Sequence, residues 1–186
     1  MRSSVSFAFY SGLGDKEPLI NRITAMFTGP YMHCEIVFTD SKEQHVACGV
    51  WQGECTFMRR KTFGKKCWVW RTLTVTSKQE RVMRRFCAMQ AKMQIPFNRW
   101  GLIRCCTACP KKTDGKSWFC SELCVSALQA AGLLVDEIAS ACTPTHVFQL
   151  VEKLGAYRAT APGCLLDERI NKKKLRYTFG KRAMVV

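Results

Sequence analysis

The spacing of apolar residues changes several times along the chain, and each change marks an element. From Ser4 to Tyr10 small or polar residues alternate with apolar ones, the period of a strand. Leu19, Ile20, Ile23, Met26 and Phe27 recur at helical spacing, and Gly29-Pro30 stops that helix. YMHCEIVF, residues 31–38, and HVACGVW, residues 45–51, are rich in strand formers and flank the polar, turn-like TDSKEQ. The pair predicts an antiparallel hairpin with a loop longer than two residues. Two further strands are predicted, from Cys55 to Met58 and from Cys67 to Val75, separated by basic residues.

Helices dominate the second half. Ser77 followed by Glu80 reads as a capping box opening a helix to about Gln94, which Pro96 terminates. PFNRWGLIRCC then leads into a loop. Ser117 is the expected cap of the next helix, placing Cys120 in its first turn. Leu123, Ala127, Leu128 and Ala131 give that helix an apolar face, and Gly132 ends it. A last short helix starts near Thr143-Pro144, with proline at the first position. The expected organisation is one α+β domain over residues 1–160, an antiparallel sheet packed by helices, and a basic tail over 161–186.

Composition narrows the setting. The 186 residues are 47% hydrophobic, enough for a core, so the chain is not a disordered tail. No run approaches a membrane span, and Val5–Tyr10 is too short and serine-broken for a signal peptide. The expectation is an intracellular, soluble, cytoplasmic protein whose 12 cysteines are mostly thiols. Those within apolar runs, Cys34, Cys87 and Cys124, read as small hydrophobes. The net charge of +15 favours anionic partners: nucleic acid, an acidic membrane surface or an acidic protein. The basic runs are Arg59-Arg60-Lys61, Lys65-Lys66, Arg81 with Arg84-Arg85, and Lys172–Lys174 with Arg176. Each taken singly is an ordinary solvated surface, and no nucleic-acid-binding motif accompanies them.

Candidate chemistry rests on few residues. A cysteine at a helix start feels the positive end of the helix dipole, which favours the thiolate, and free N–H groups there can hold an oxyanion. Cys120 is so placed. His33 opens one hairpin strand and shares a face with Glu35; His45 opens the other and is expected within reach of that face. Nucleophile, base and orienter are thus all at hand. The plain alternatives are a buried structural thiol and surface or backbone-bonded histidines. Glu122, in the first turn of the same helix, reads as a dipole partner with no role at the site. Cys105, Cys106 and Cys109 form CCxxC, a weak metal signal with no second pair. Trp51, Trp68, Trp70 and Trp100 read as core or pocket wall.

HCEIVFTDSKEQHVA, residues 33–47, resembles the histidine hairpin of the NlpC/P60 superfamily of papain-like enzymes. WFCSELCVSALQAAGLL, residues 118–134, resembles its nucleophile helix. Histidine precedes cysteine here, which is similar to the circularly permuted branch: YiiX/YaeF-like proteins, lecithin:retinol acyltransferase relatives and a poxvirus group. SFAFYSG, PFNRWG and CTPTHVFQLV resemble that branch's first strand, its PYD-type segment and its helix after the nucleophile. Two departures stand out: Glu35 replaces the usual glycine, and Phe97 replaces the PYD-type tyrosine. The resemblance implies a permuted papain-like fold and a thiol hydrolase or acyltransferase. Cys120 would be nucleophile, His33 its base, and His45 or Glu35 the orienter. Amide, ester or thioester carbonyls would be substrates, with no metal or organic cofactor required. A viral source fits the compact, single-domain layout with a basic tail. The competing expectation is a non-enzymatic basic protein that binds nucleic acid on the same fold.

Overall fold

A computed structural model of the chain describes residues 1–11, 29–40, 44–64, 67–105 and 113–157. The helix expected over 19–27, the Lys65-Lys66 run, Cys106, Cys109 and the basic tail lie outside these residues. Five strands form one antiparallel sheet: β1 (Arg2–Tyr10), β2 (His33–Thr39), β3 (His45–Gly49), β4 (Phe57–Arg60) and β5 (Trp68–Thr76). Their order is β4-β3-β2-β1-β5. Helices α1 (Ser77–Lys92), α2 (Arg99–Cys105), α3 (Cys120–Ala130) and α4 (Pro144–Lys153) follow, with a 3-10 turn at Ala139–Ala141. The α+β class read from the sequence is observed.

The two sheet faces differ in chemistry. Val5, Phe7 and Phe9 of β1, Cys34, Ile36 and Phe38 of β2, and Val69, Leu73 and Val75 of β5 share one face. They pack with Met83 and Cys87 of α1, Leu123, Cys124 and Leu128 of α3, and Val147 and Val151 of α4 in one apolar core. The opposite face carries Ala8, Val37, Ala47, Trp68 and Trp70, flanked by Tyr10, Trp51, Phe57 and Phe63. Because both faces are covered, β2 is buried along nearly its whole length, and the face opposite Cys34, Ile36 and Phe38 buries the polar His33 and Glu35 beside Val37.

Several boundaries differ from expectation for identifiable reasons. The capping box belongs one residue earlier: Thr76 is the cap of α1 and Gln79 its reciprocal partner, while Glu80 pairs with Arg84. Ser117 does not cap α3. The cap position is Phe119, whose side chain makes no capping bond, so the helix begins at Cys120. The segment after Pro96, to which the sequence assigns no element, contains α2, opened by Asn98, whose Oδ1 accepts from Gly101 N at 2.7 Å. This helix lacks a clear apolar stripe, and its Trp100 is 72% exposed rather than core or pocket wall. Strand β4 begins later than expected and takes in Arg59 and Arg60; Cys55 makes only an isolated bridge to Pro96. Thr143 does cap α4, accepting from His146 N, with Pro144 in its first turn. Among the described residues no helix is long and apolar enough to cross a membrane.

Candidate active site

Two short connections bring the start of α3 against the start of β2. Pro96 O accepts from Trp118 N at 3.0 Å, and Trp118 O accepts from Asn98 N at 2.7 Å. The segment before α2 therefore holds the residues just ahead of Cys120. Cys120, the first residue of α3, lies beside the His33 imidazole, close enough for each to shift the other's titration, and against the side chain and backbone of Cys34. The thiol and imidazole, 87 positions apart in the chain (120 − 33), thus become neighbours. Cys120 is 4% exposed and His33 5%, so both are buried.

His33 is fixed on two sides. Its ring stacks on Trp51, with centroids 3.8 Å apart and planes 27° from parallel. Its Nε2 lies 3.0 Å from Glu35 Oε1. The same carboxylate oxygen accepts from Trp51 Nε1 at 3.1 Å and from Lys61 Nζ at 2.5 Å. Glu35 is fully buried, and Gly49 on the adjacent strand makes room for it. A Cβ at Gly49 would stand 2.9 Å from Glu35 Cγ and 3.2 Å from Phe57 Cζ. The acidic residue and the glycine therefore form a matched pair across the hairpin.

The electrostatics favour a thiolate–imidazolium pair. The Cys34 side chain, by hydrogen bonding the sulfur, does most to hold the Cys120 thiol well below its ordinary value; burial opposes this and the His33 charge reinforces it. For His33, burial disfavours the charged ring, but Cys120 and then Glu35 outweigh it and raise the imidazole to about 9. Burial likewise pushes Glu35 up, yet its bonds and charges with His33 and Lys61 leave it below the usual carboxylate value. Neighbouring thiols go the other way. Burial is the first cause of the rise at Cys34 and Cys124. A thiolate beside a proton donor at a helix start can attack a carbonyl and then protonate the departing group. No side chain caps α3, so the helix-start N–H groups are the natural binders of an oxyanion.

His45 is not part of this cluster. Strand β3 pairs antiparallel with β2, and His45 sits opposite Thr39, six residues along from His33. At ~3.3 Å per residue the separation is about 20 Å. Its ring lies against Trp70 instead, at 5.3 Å. His45 does share the sheet face of His33, as its pairing with Thr39 requires, but it cannot reach the imidazole because two residues that open antiparallel strands lie at opposite ends of the hairpin. Glu35, not His45, is the side chain bonded to His33.

Three contributors were read differently from sequence. Lys61 belongs to a basic run taken as solvated surface, yet it bonds the buried Glu35 and lies over the Trp51, Phe63 and Trp68 rings. Cys34 reads as a small hydrophobe, yet it lies against the Cys120 sulfur. Glu122 is no exposed dipole partner: it is 1% exposed, accepts from Thr113 Oγ1 at 2.5 Å, and burial raises its carboxyl toward the neutral form. With Asn98, Thr113 and Ser140 it lines a polar cavity of about 110 Å³ that Cys120 does not line. Hairpin register carried the signal for Trp51, since extending the ladder beyond Gly49 sets it opposite His33. Among the described residues no cluster of His, Cys, Asp or Glu suits a metal; Cys105 instead donates to Leu102 O. No protein-family model, curated protein or solved structure matches the chain.

Proposed function

We propose that the chain is a cysteine-dependent acyl-transfer enzyme, a hydrolase or acyltransferase of the permuted papain-like kind. Cys120 is its nucleophile, His33 its acid–base and Glu35 the residue that positions His33. The observation that carries this reading is the contact of the helix-start Cys120 with His33, whose ring is held by Glu35 and Trp51. In the reaction the Cys120 thiolate attacks an amide, ester or thioester carbonyl. The tetrahedral oxyanion is bound by N–H groups at the start of α3. His33 gives its proton to the leaving amine, alcohol or thiol, and a thioester remains on Cys120. Water or another acceptor, deprotonated by His33, then releases the acyl group. Lys61 stabilises the Glu35 carboxylate and thereby keeps a charge opposite the imidazolium.

A nucleic-acid-binding protein on the same scaffold remains the rival, motivated by the charge of +15. An activated-ester probe that leaves its acyl group as a thioester separates the two. The expected result is one acyl group on Cys120 by peptide mass, lost in Cys120→Ala. Salt-sensitive RNA or DNA binding that survives Cys120→Ala, with no acylation of the native chain, would overturn the enzyme reading.

A further inference from the structure

Cys120 is one of three thiols that meet at the α3–β2 contact. Cys34 projects from β2 into the helix-facing core and is fully buried. Its Sγ lies 3.6 Å from Cys124 Sγ, and its side chain and backbone lie against Cys120, one turn earlier on the same helix face. Cys120 and Cys124 stand one turn apart on α3, so Cys34 inserts between two thiols of one helix face. All three are free thiols. A bridge between Cys120 and Cys124 is disfavoured by the helix itself, which holds such Cβ atoms ~5–6 Å apart, whereas a disulfide needs ~3.5–4.5 Å. Cys34, on a different element, is under no such restraint.

We propose that Cys34 and Cys120 form a redox modification site, in which Cys34 resolves a peroxide-oxidised Cys120 into a reversible disulfide. The inference rests on the reading of Cys120 as the reactive thiolate, though not on acyl transfer itself. In the first step the Cys120 thiolate attacks one oxygen of hydrogen peroxide. An S–O bond forms, the O–O bond breaks, and the departing hydroxide takes the His33 proton to leave as water. The Cys34 sulfur then attacks the Cys120 sulfenic sulfur. The S–S bond forms, the S–O bond breaks, and hydroxide leaves with the Cys34 proton as a second water. Two thiols lose two electrons and two protons, and one peroxide becomes two waters. Burial keeps Cys34 protonated, so it donates to the thiolate until the sulfenic acid gives it an electrophile. The disulfide removes the nucleophile reversibly and shields it from further oxidation.

The test treats the full chain with graded hydrogen peroxide, blocks remaining thiols with N-ethylmaleimide, and maps non-reduced peptides by mass. A Cys34–Cys120 linked peptide is expected, lost on adding dithiothreitol together with recovery of Cys120 alkylation. In Cys34→Ala the Cys120 that does react is expected to end as sulfinic or sulfonic acid, irreversibly, this share of the oxidised Cys120 being on the order of tenfold higher than in the native chain. Equal over-oxidation of Cys120 in both proteins, a link from Cys34 to Cys124 instead, or no oxidation at Cys120 overturns the proposal. Should Cys34→Ala fail to fold, the linked peptide of the native chain decides alone. Acylation of the same preparation keeps the two readings apart. A labelled Cys120 without the disulfide sinks only the redox site. The disulfide without acylation sinks only the acyl-transfer reading.

Discussion

The two ends of the β2–β3 hairpin each begin with a histidine, yet they have become different chemical places. At one end His33 is buried, stacked on Trp51, bonded to Glu35 and in contact with Cys120. At the other His45 is half-buried opposite Thr39 and rests on Trp70. The residue type is the same. What differs is which elements converge: the start of α3 reaches one end, and Lys61 supplies a cation to Glu35 there. A histidine becomes a base by what is brought to it, not by opening a strand.

The contrast can be broken from the largest effect down. Cys120→Ala should abolish acylation, and His33→Gln should slow it by on the order of 10²–10⁴-fold, read as rates of probe consumption. Glu35→Gln keeps the shape but loses the charge that orients the imidazolium; a fall of on the order of 10–100-fold is expected. Gly49→Ala tests the same carboxylate indirectly. Its new methyl would crowd Glu35 Cγ, so about 1–3 kcal/mol of stability should be lost in denaturant titration, along with part of the activity.

The pH response follows from the directions of the shifts. Because Cys120 is lowered, its thiolate persists as pH falls well below the ordinary thiol value, so its alkylation rate should stay nearly level through neutrality. Because His33 is raised to about 9, the proton needed by the leaving group is present below that pH. Acyl transfer should therefore decline as pH rises through it. In His33→Gln the alkylation profile should move toward alkaline pH. The smallest effect belongs to His45→Ala: acylation unchanged and stability altered by about 0.5 kcal/mol or less, measured by the same assays.

Much of this layout was legible in the chain. Alternation marked β1, and clusters of strand formers marked the hairpin and β5. Thr143-Pro144 marked α4, and the spacing around Cys120 marks it as a first-turn residue of its helix. Other features were hidden for physical reasons. Phe119 caps nothing through its side chain, so no local signal fixed the first residue of α3. Helix α2 hides no apolar stripe and rests on one Asn98 bond. Glu35 could not be preferred over His45 until register was known, because only register tells which end of a hairpin each residue occupies. Lys61 read as surface because a charge run carries no trace of the buried partner that one member meets.

The central claim is that Cys120 is held as a thiolate by His33 and its surroundings. A brief pulse of iodoacetamide at about pH 6, well below the ordinary thiol value, tests it most directly, with every cysteine peptide quantified by mass. Cys55, exposed and free, serves as the internal reference. Cys120 should be alkylated faster than Cys55 despite its burial, and His33→Gln should reduce that advantage. Cys120 reacting more slowly than Cys55 in the native chain, or at the same rate with and without His33, would contradict the account.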